Sequence, residues 1–176
     1  YPSKMESHLH ADGLYMELES CLMLGDLDRS LEVLDQICSS FPDHGGAWEL
    51  RGHLESQAER SNLSINYFQR ANELGELEPL SLRTMASQYV AIGNHDSGLQ
   101  ILHALGLSGR LETPMLKVVS HDLLSLARPE LAADVVWHAI KTDSNIAVLW
   151  HELAAIQSVL GESAEVCLQA VNRAIQ

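Results

Sequence analysis

The chain has 176 residues, 24 acidic and 11 basic, for a formal net charge of −13. At 46% hydrophobic and 20% charged it is too apolar for global disorder, and so acidic a surface is a poor match for nucleic acid or an anionic membrane. Aromatics are 5%, lean for a β-sandwich and natural for helices packed through Leu and Ala, and no apolar run reaches the ~18–20 residues that span a bilayer.

Residues 1–10 read as an N-terminal extension that opens on Tyr1 rather than Met, as a piece of something longer would. They show no charged-then-apolar signal pattern. Cys21, Cys38 and Cys167 are an odd number without CxxC spacing, so neither a disulfide framework nor a zinc site is expected. The expectation is three buried apolar thiols in a reducing, cytoplasmic compartment.

From residue 11 the pattern becomes helical. Leu14, Leu18, Cys21 and Met23-Leu24 recur at steps of three and four, then a Gly25-Asp26 turn leads into Leu27, Leu31, Leu34 and Ile37-Cys38. This predicts two helices of ~12–14 residues and a short turn, with Pro42 after the second. The same plan then repeats. Gly25, Gly93 and Gly161 are spaced by 68 residues, and polar breaks at Ala58–Asn62 and Leu126–Pro129 fall midway, so the period is 34. One column reads Leu14, Trp48, Leu82, Leu116, Trp150, large at each step. Another reads Leu18, Gly52, Ala86, Ser120, Ala154, and after the turn Ser30, Ser64, Gly98 and Ala132 precede bulky Leu34, Phe68, Leu102 and Val136. Small residues in register let paired helices approach closely. Pro79, Pro114 and Pro129 fit first helical turns, and Thr113 and Ser144 are the expected N-caps.

On these columns the chain resembles the tetratricopeptide repeat family. Trp48 with Gly52, Leu82–Ala86–Tyr89, Ser64–Phe68–Ala71, Ala132–Val136–Ala139 and Pro42 carry the likeness. It covers residues 11–176 as five repeats, 11–44, 45–78, 79–112, 113–146 and 147–176. Glu17 and Arg51 depart from it at a usually apolar position, and the fifth repeat reads one residue late, with Cys167 rather than Val166 in the small position. The resemblance implies an all-α solenoid of helix–turn–helix hairpins, wound as a right-handed superhelix with first helices lining a concave groove.

In that family the groove is lined one and five residues after the large column. Here those positions are Tyr15, Glu49, Arg83, Lys117 and His151, then Glu19, His53, Ser87, His121 and Ala155. The wall is acidic at its N-terminal end and basic at its C-terminal end. Residues 1–78 hold 15 acids against 5 bases, and residues 79–176 hold 9 against 6. The relatives' clamp for a terminal carboxylate lacks its Asn residues here, so that ligand is not expected. An acidic peptide is expected instead in the C-terminal half, on Arg83, Lys117, His121 and His151, with Leu80, Val90, Leu124 and Val148 as apolar anchors. The competing reading is a set of solvated faces, with Arg83 and Lys117 paired to Asp122 or Glu152.

No chemistry is expected. His8 and His10 form an HxH pair without a later ligand at metal spacing, and His121-Asp122 lies on a helix where adjacent residues diverge by ~100°. GxSxG, a Gly-rich phosphate loop and HExxH are all absent from the sequence. The expected function is a non-catalytic scaffold for a protein or peptide segment, without metal, cofactor, nucleic acid or membrane. The alternatives are an accessory array of a larger enzyme, such as a transferase, and a self-assembly module joined through Ile156, Val159, Leu160 and Leu168 of the fifth repeat.

Overall fold

The computed structural model describes residues 4–162 and 164–175, with side chains over 10–162 and 165–175. Among the described residues it contains ten α-helices and no strand. They fall into two compact units, Tyr1–Ile92 and Gly93–Gln176. The first holds α1 (Lys4–Leu24), α2 (Leu27–Ser40), α3 (Gly45–Gln57), α4 (Ser61–Leu74) and α5 (Pro79–Ala91). The second holds α6 (His95–Leu107), α7 (Thr113–Ser125), α8 (Pro129–Thr142), α9 (Ala147–Val159) and α10 (Ala164–Ile175). Helix α1 starts at Lys4 and runs unbroken across the expected border at residue 10. Its His10 is exposed, and His8 lies outside the described side chains.

The 34-residue step is written into the backbone. Gly25, Glu59, Gly93, Ala127 and Gly161 each take a positive φ, between 56° and 83°. At residue 59 the turn is a Schellman closure, in which Glu59 N–H donates to the Ser56 carbonyl and Arg60 N–H to that of Glu55. Ala127 and Arg128 repeat it on Leu124 and Leu123. After Gly25, Asp26 accepts from the Arg29 amide at 3.1 Å, and after Gly93, Asn94 accepts from Ser97 at 3.2 Å, so two turns end in a side-chain N-cap.

Pro79, Pro114 and Pro129 lie in first turns as expected. The expected caps do not hold. Helix α7 begins at Thr113 with Glu112 as its N-cap, and α9 begins after Ile146. Ser144 contributes its carbonyl instead, accepting the Trp150 indole N–H at 2.8 Å. Trp48 makes the same bond to Pro42 at 2.9 Å, three repeats earlier.

The small columns pack as their size requires. In unit 1, Gly52 of α3 faces the ring of Phe68 on α4, and the buried Ser64 hydroxyl donates to the Gly52 carbonyl at 2.7 Å. In unit 2, Gly106 of α6, which stands outside those columns, lies under Val135 of α8. Leu34, Phe68, Leu102 and Val136 are all buried, each contributing ~1.5–3 kcal/mol through area removed from water. The residues just before the turns are apolar without being core: Leu24 is 84% exposed, and Ile92 and Leu160 are exposed too.

Three details differ from the sequence reading. In α10 the buried residues are Ala170 and Ala174, which lie 34 after Val136 and Ile140, so the fifth repeat carries no one-residue delay. Cys21 and Cys38 are buried, with burial pushing the Cys38 thiol up to about 11, but Cys167 is only half-buried. Arg51 is 7% exposed, held by Asp35 and Glu55, with its guanidinium 4.5 Å above the Tyr67 ring. Glu55, 2% exposed, also takes Arg60 at 2.5 Å.

Candidate functional site

The expected groove positions divide between the two units. In unit 1 they lie on α1, α3 and α5, and three of them reach forward to the start of the next odd-numbered helix or the residue just before it. The Tyr15 hydroxyl hydrogen-bonds Nδ1 of His44, the residue before α3, and the two rings meet edge to face with centroids 5.6 Å apart. Burial, with a smaller push from Cys38, holds the Tyr15 phenol above its ordinary pKa, so it keeps its proton. Glu49 accepts the backbone N–H of Glu78, the N-cap of α5, at 3.1 Å. His53 Nε2 meets the buried Ser81 hydroxyl of α5 at 2.7 Å, and its ring stands edge-on to Phe68.

Burial lowers the His53 pKa, partly offset by Glu49. The imidazole is therefore a neutral packing group near pH 7. The remaining unit 1 positions are more open. Glu19 is exposed on α1, and Ser87 is exposed on α5 with its hydroxyl turned back to the Thr84 carbonyl. Arg83 is half-buried and has interactions of its own.

An apolar shelf on α1 escaped the sequence reading. Tyr15, Leu18, Glu19, Leu22 and Met23 line a shallow hollow, and Met23 is 83% exposed. Leu22, Met23 and Leu24 keep helical spacing with Leu14 and Leu18, so the pattern alone places them in the core. Only their exposure in the fold, 39% for Leu22, 83% for Met23 and 84% for Leu24, reveals the difference.

In unit 2 the expected positions lie on α7 and α9, which pack against each other. His121 and His151 are exposed and Lys117 is half-buried. Glu152, one of the internal partners considered for Lys117, instead accepts from the Ser120 hydroxyl at 3.4 Å. Of the expected apolar anchors, Val148 is exposed and Leu124 half-buried in unit 2, while Leu80 is exposed and Val90 half-buried in unit 1. Of the fifth-repeat residues, Ile156 is fully buried, whereas Val159, Leu160 and Leu168 are exposed.

Among the described residues no three His, Cys, Asp or Glu side chains cluster to hold a metal. No described helix is long and apolar enough to cross a membrane.

No protein-family model matches the sequence, and no curated protein matches it. Solved structures do. MamA matches with a TM-score of 0.67 at 10% identity, over 94% of this chain and 90% of that one. YrrB, described as a TPR protein with an unusual peptide-binding site, matches at 0.60 and 14%, over 90% of this chain and 81% of that one. A chain in the structure of Naa15/Naa10 bound to HypK-THB matches at 0.65 and 11%, over 93% of this chain but only 25% of that one. At such identities the likeness is one of fold. The chain has the all-α solenoid fold of tetratricopeptide-repeat proteins.

Proposed function

We propose that the protein is a non-catalytic scaffold that binds a segment of another protein on its odd-numbered helices. The observation that carries this is the open face of α7 and α9, where His121 and His151 are exposed beside a half-buried Lys117. The chain's net charge is −13, so a cation-bearing face stands out against its background. An acidic segment pairs with Lys117 and accepts hydrogen bonds from both imidazoles, while Val148 and Leu124 supply apolar contact. Each exposed pair contributes only ~0.2–1 kcal/mol, so the apolar contact carries much of the affinity and the charges set preference.

In unit 1 the same role falls to the α1 shelf. Met23 and Leu22 take an apolar side chain and Glu19 offers a polar contact there, while Ser87 and Arg83 add polar and cationic contacts of their own on α5. Tyr15, Glu49 and His53 act there by holding successive repeats together. YrrB's peptide-binding site and the larger Naa15/Naa10 assembly support the general reading, and the latter suits an accessory array within a longer chain. Residence in the cytoplasm fits the free thiols.

The test is selection of displayed random 12-residue peptides on the immobilised chain. Selected sequences enriched in Asp and Glu with one or two apolar residues support the proposal, and basic or uniformly apolar winners contradict it. A second reading is self-association through α9 and α10, favoured by exposed Val159, Leu160, Leu168 and Ile175. Sedimentation equilibrium across a hundredfold range of concentration separates a dimer from a monomer.

A further inference from the structure

The geometry points to a second binding site, a pocket on α8, α9 and α10 that takes one aromatic side chain, a tyrosine, from a partner polypeptide. Trp137, Trp150, Leu153, Gln157, Gln169 and Arg173 line a cavity of about 220 Å³. That is below the ~300–1,000 Å³ of sites for whole small-molecule ligands, and it suits a single side chain. Trp137 and Trp150 meet edge to face with centroids 5.7 Å apart, and the Arg173 guanidinium lies 5.3 Å over Trp150. In the wall, Oε1 of the buried Gln157 is without a hydrogen-bond partner.

The same place three repeats earlier is filled. Trp48 stands 102 residues before Trp150 and is anchored by the same indole bond to the preceding loop. There Tyr67 occupies the cleft, stacked on Trp48 with centroids 5.8 Å apart and covered by the Arg51 guanidinium at 4.5 Å. Counting 102 onward, Tyr67 becomes Gln169, Arg51 becomes Leu153 and Glu55 becomes Gln157. The ring and its covering cation are thus lost from the cleft, while a guanidinium reappears from α10 as Arg173.

The chain's own solution for this cleft is a tryptophan–tyrosine–guanidinium stack. In the fifth repeat the two outer members are present and the middle one is missing. Arg173 is exposed and can swing outward to cover an inserted ring, gaining a cation–π contact. Oε1 of Gln157 is closed to solvent, so the inserted ring has to displace that side chain before its hydroxyl donates there, and this bond favours tyrosine over phenylalanine. No residue of this pocket belongs to the α7–α9 face proposed above, so either site can fail without the other.

The test follows the indole N–H resonances of Trp137 and Trp150 during titration with acetyl-Ala-Tyr-Ala-amide. Both shift and saturate, with a Kd on the order of 1 mM for so small a probe. The same peptide with cyclohexylalanine in place of tyrosine binds at least about tenfold more weakly. The Gln169→Tyr variant, which rebuilds the internal stack, has a higher Tm and loses the shifts. Unmoved indoles, equal binding of the cyclohexylalanine peptide, or undiminished binding by Gln169→Tyr would each overturn the proposal. Binding of p-cresol without binding of the peptide would overturn its assignment to a polypeptide.

Discussion

Gly52 and Phe68 are packed so closely that a Cβ on residue 52 would stand 2.8 Å from Cδ1 of the ring. In an open helix, Gly→Ala stabilises by roughly 0.5–1 kcal/mol, so the sign of the change is diagnostic. Here Gly52→Ala destabilises by ~1–3 kcal/mol in urea unfolding, through overpacking of a buried ring. Shortening the opposite side chain with Phe68→Leu recovers part of that loss in the double variant.

Glu59 and Ala127 hold the left-handed conformation that Gly25, Gly93 and Gly161 hold at the matching positions. A side chain there costs ~1–2 kcal/mol, against the ~0.5–1 kcal/mol of extra chain entropy that glycine loses on folding. Glu59→Gly and Ala127→Gly therefore each raise Tm, by ~0.5–1 kcal/mol of stability, and Gly25→Ala lowers it. Differential scanning calorimetry of the three variants checks the signs.

These turns show what was legible and what was not. The columns of small and large residues fixed the helix pairs because size alone decides how closely helices approach. Glu59 and Ala127 carry no such mark, since the demand on their backbone comes from the period rather than from their side chains. The spacing of Tyr15, Glu49 and His53 marks them as groove positions and says nothing of what they bond to. Their partners His44, Glu78 and Ser81 lie 28 or 29 residues away, at the border of the next repeat or just inside it, and only folding brings them together. Arg51 departs from the apolar pattern for a related reason, because its buried charge and that of Glu55 are compensated by each other and by Asp35 and Arg60.

That cluster gives a third prediction. Removing one member of a buried ionic group leaves its partner desolvated, at a cost of ~3–5 kcal/mol. Glu55→Ala falls near the lower end, since Arg51 keeps Asp35 and the Arg60 side chain is 45% exposed. Replacing Arg51 and Glu55 together by Met and Leu restores much of the loss, as measured by chemical denaturation.

The fourth concerns pH. Burial lowers the His53 pKa in the folded chain, while the unfolded chain keeps the ordinary ~6.5. Between the two values the unfolded state binds more protons, so stability rises with pH through that window. The contribution is complete above about pH 6.5 and declines as pH falls from there toward the folded-state value. His53→Gln, which can still hydrogen-bond Ser81, removes that slope while the rest of the acid profile remains. An identical slope in parent and variant would assign the titration elsewhere.

The central claim is that the α7–α9 face of unit 2 binds acidic segments through Lys117, His121 and His151. Its most direct measurement is the anisotropy of a fluorescent acidic peptide, taken from the displayed-peptide selection, titrated with parent and with the Lys117→Glu, His151→Glu variant at low salt. Reversing the charge at Lys117 and placing a carboxylate at residue 151, at ~0.2–1 kcal/mol per lost pair with repulsion added, weaken binding by about tenfold or more. The gap narrows as salt rises and the Debye length falls below ~10 Å. Equal affinity of parent and variant at low salt, with both proteins folded by circular dichroism, would contradict it.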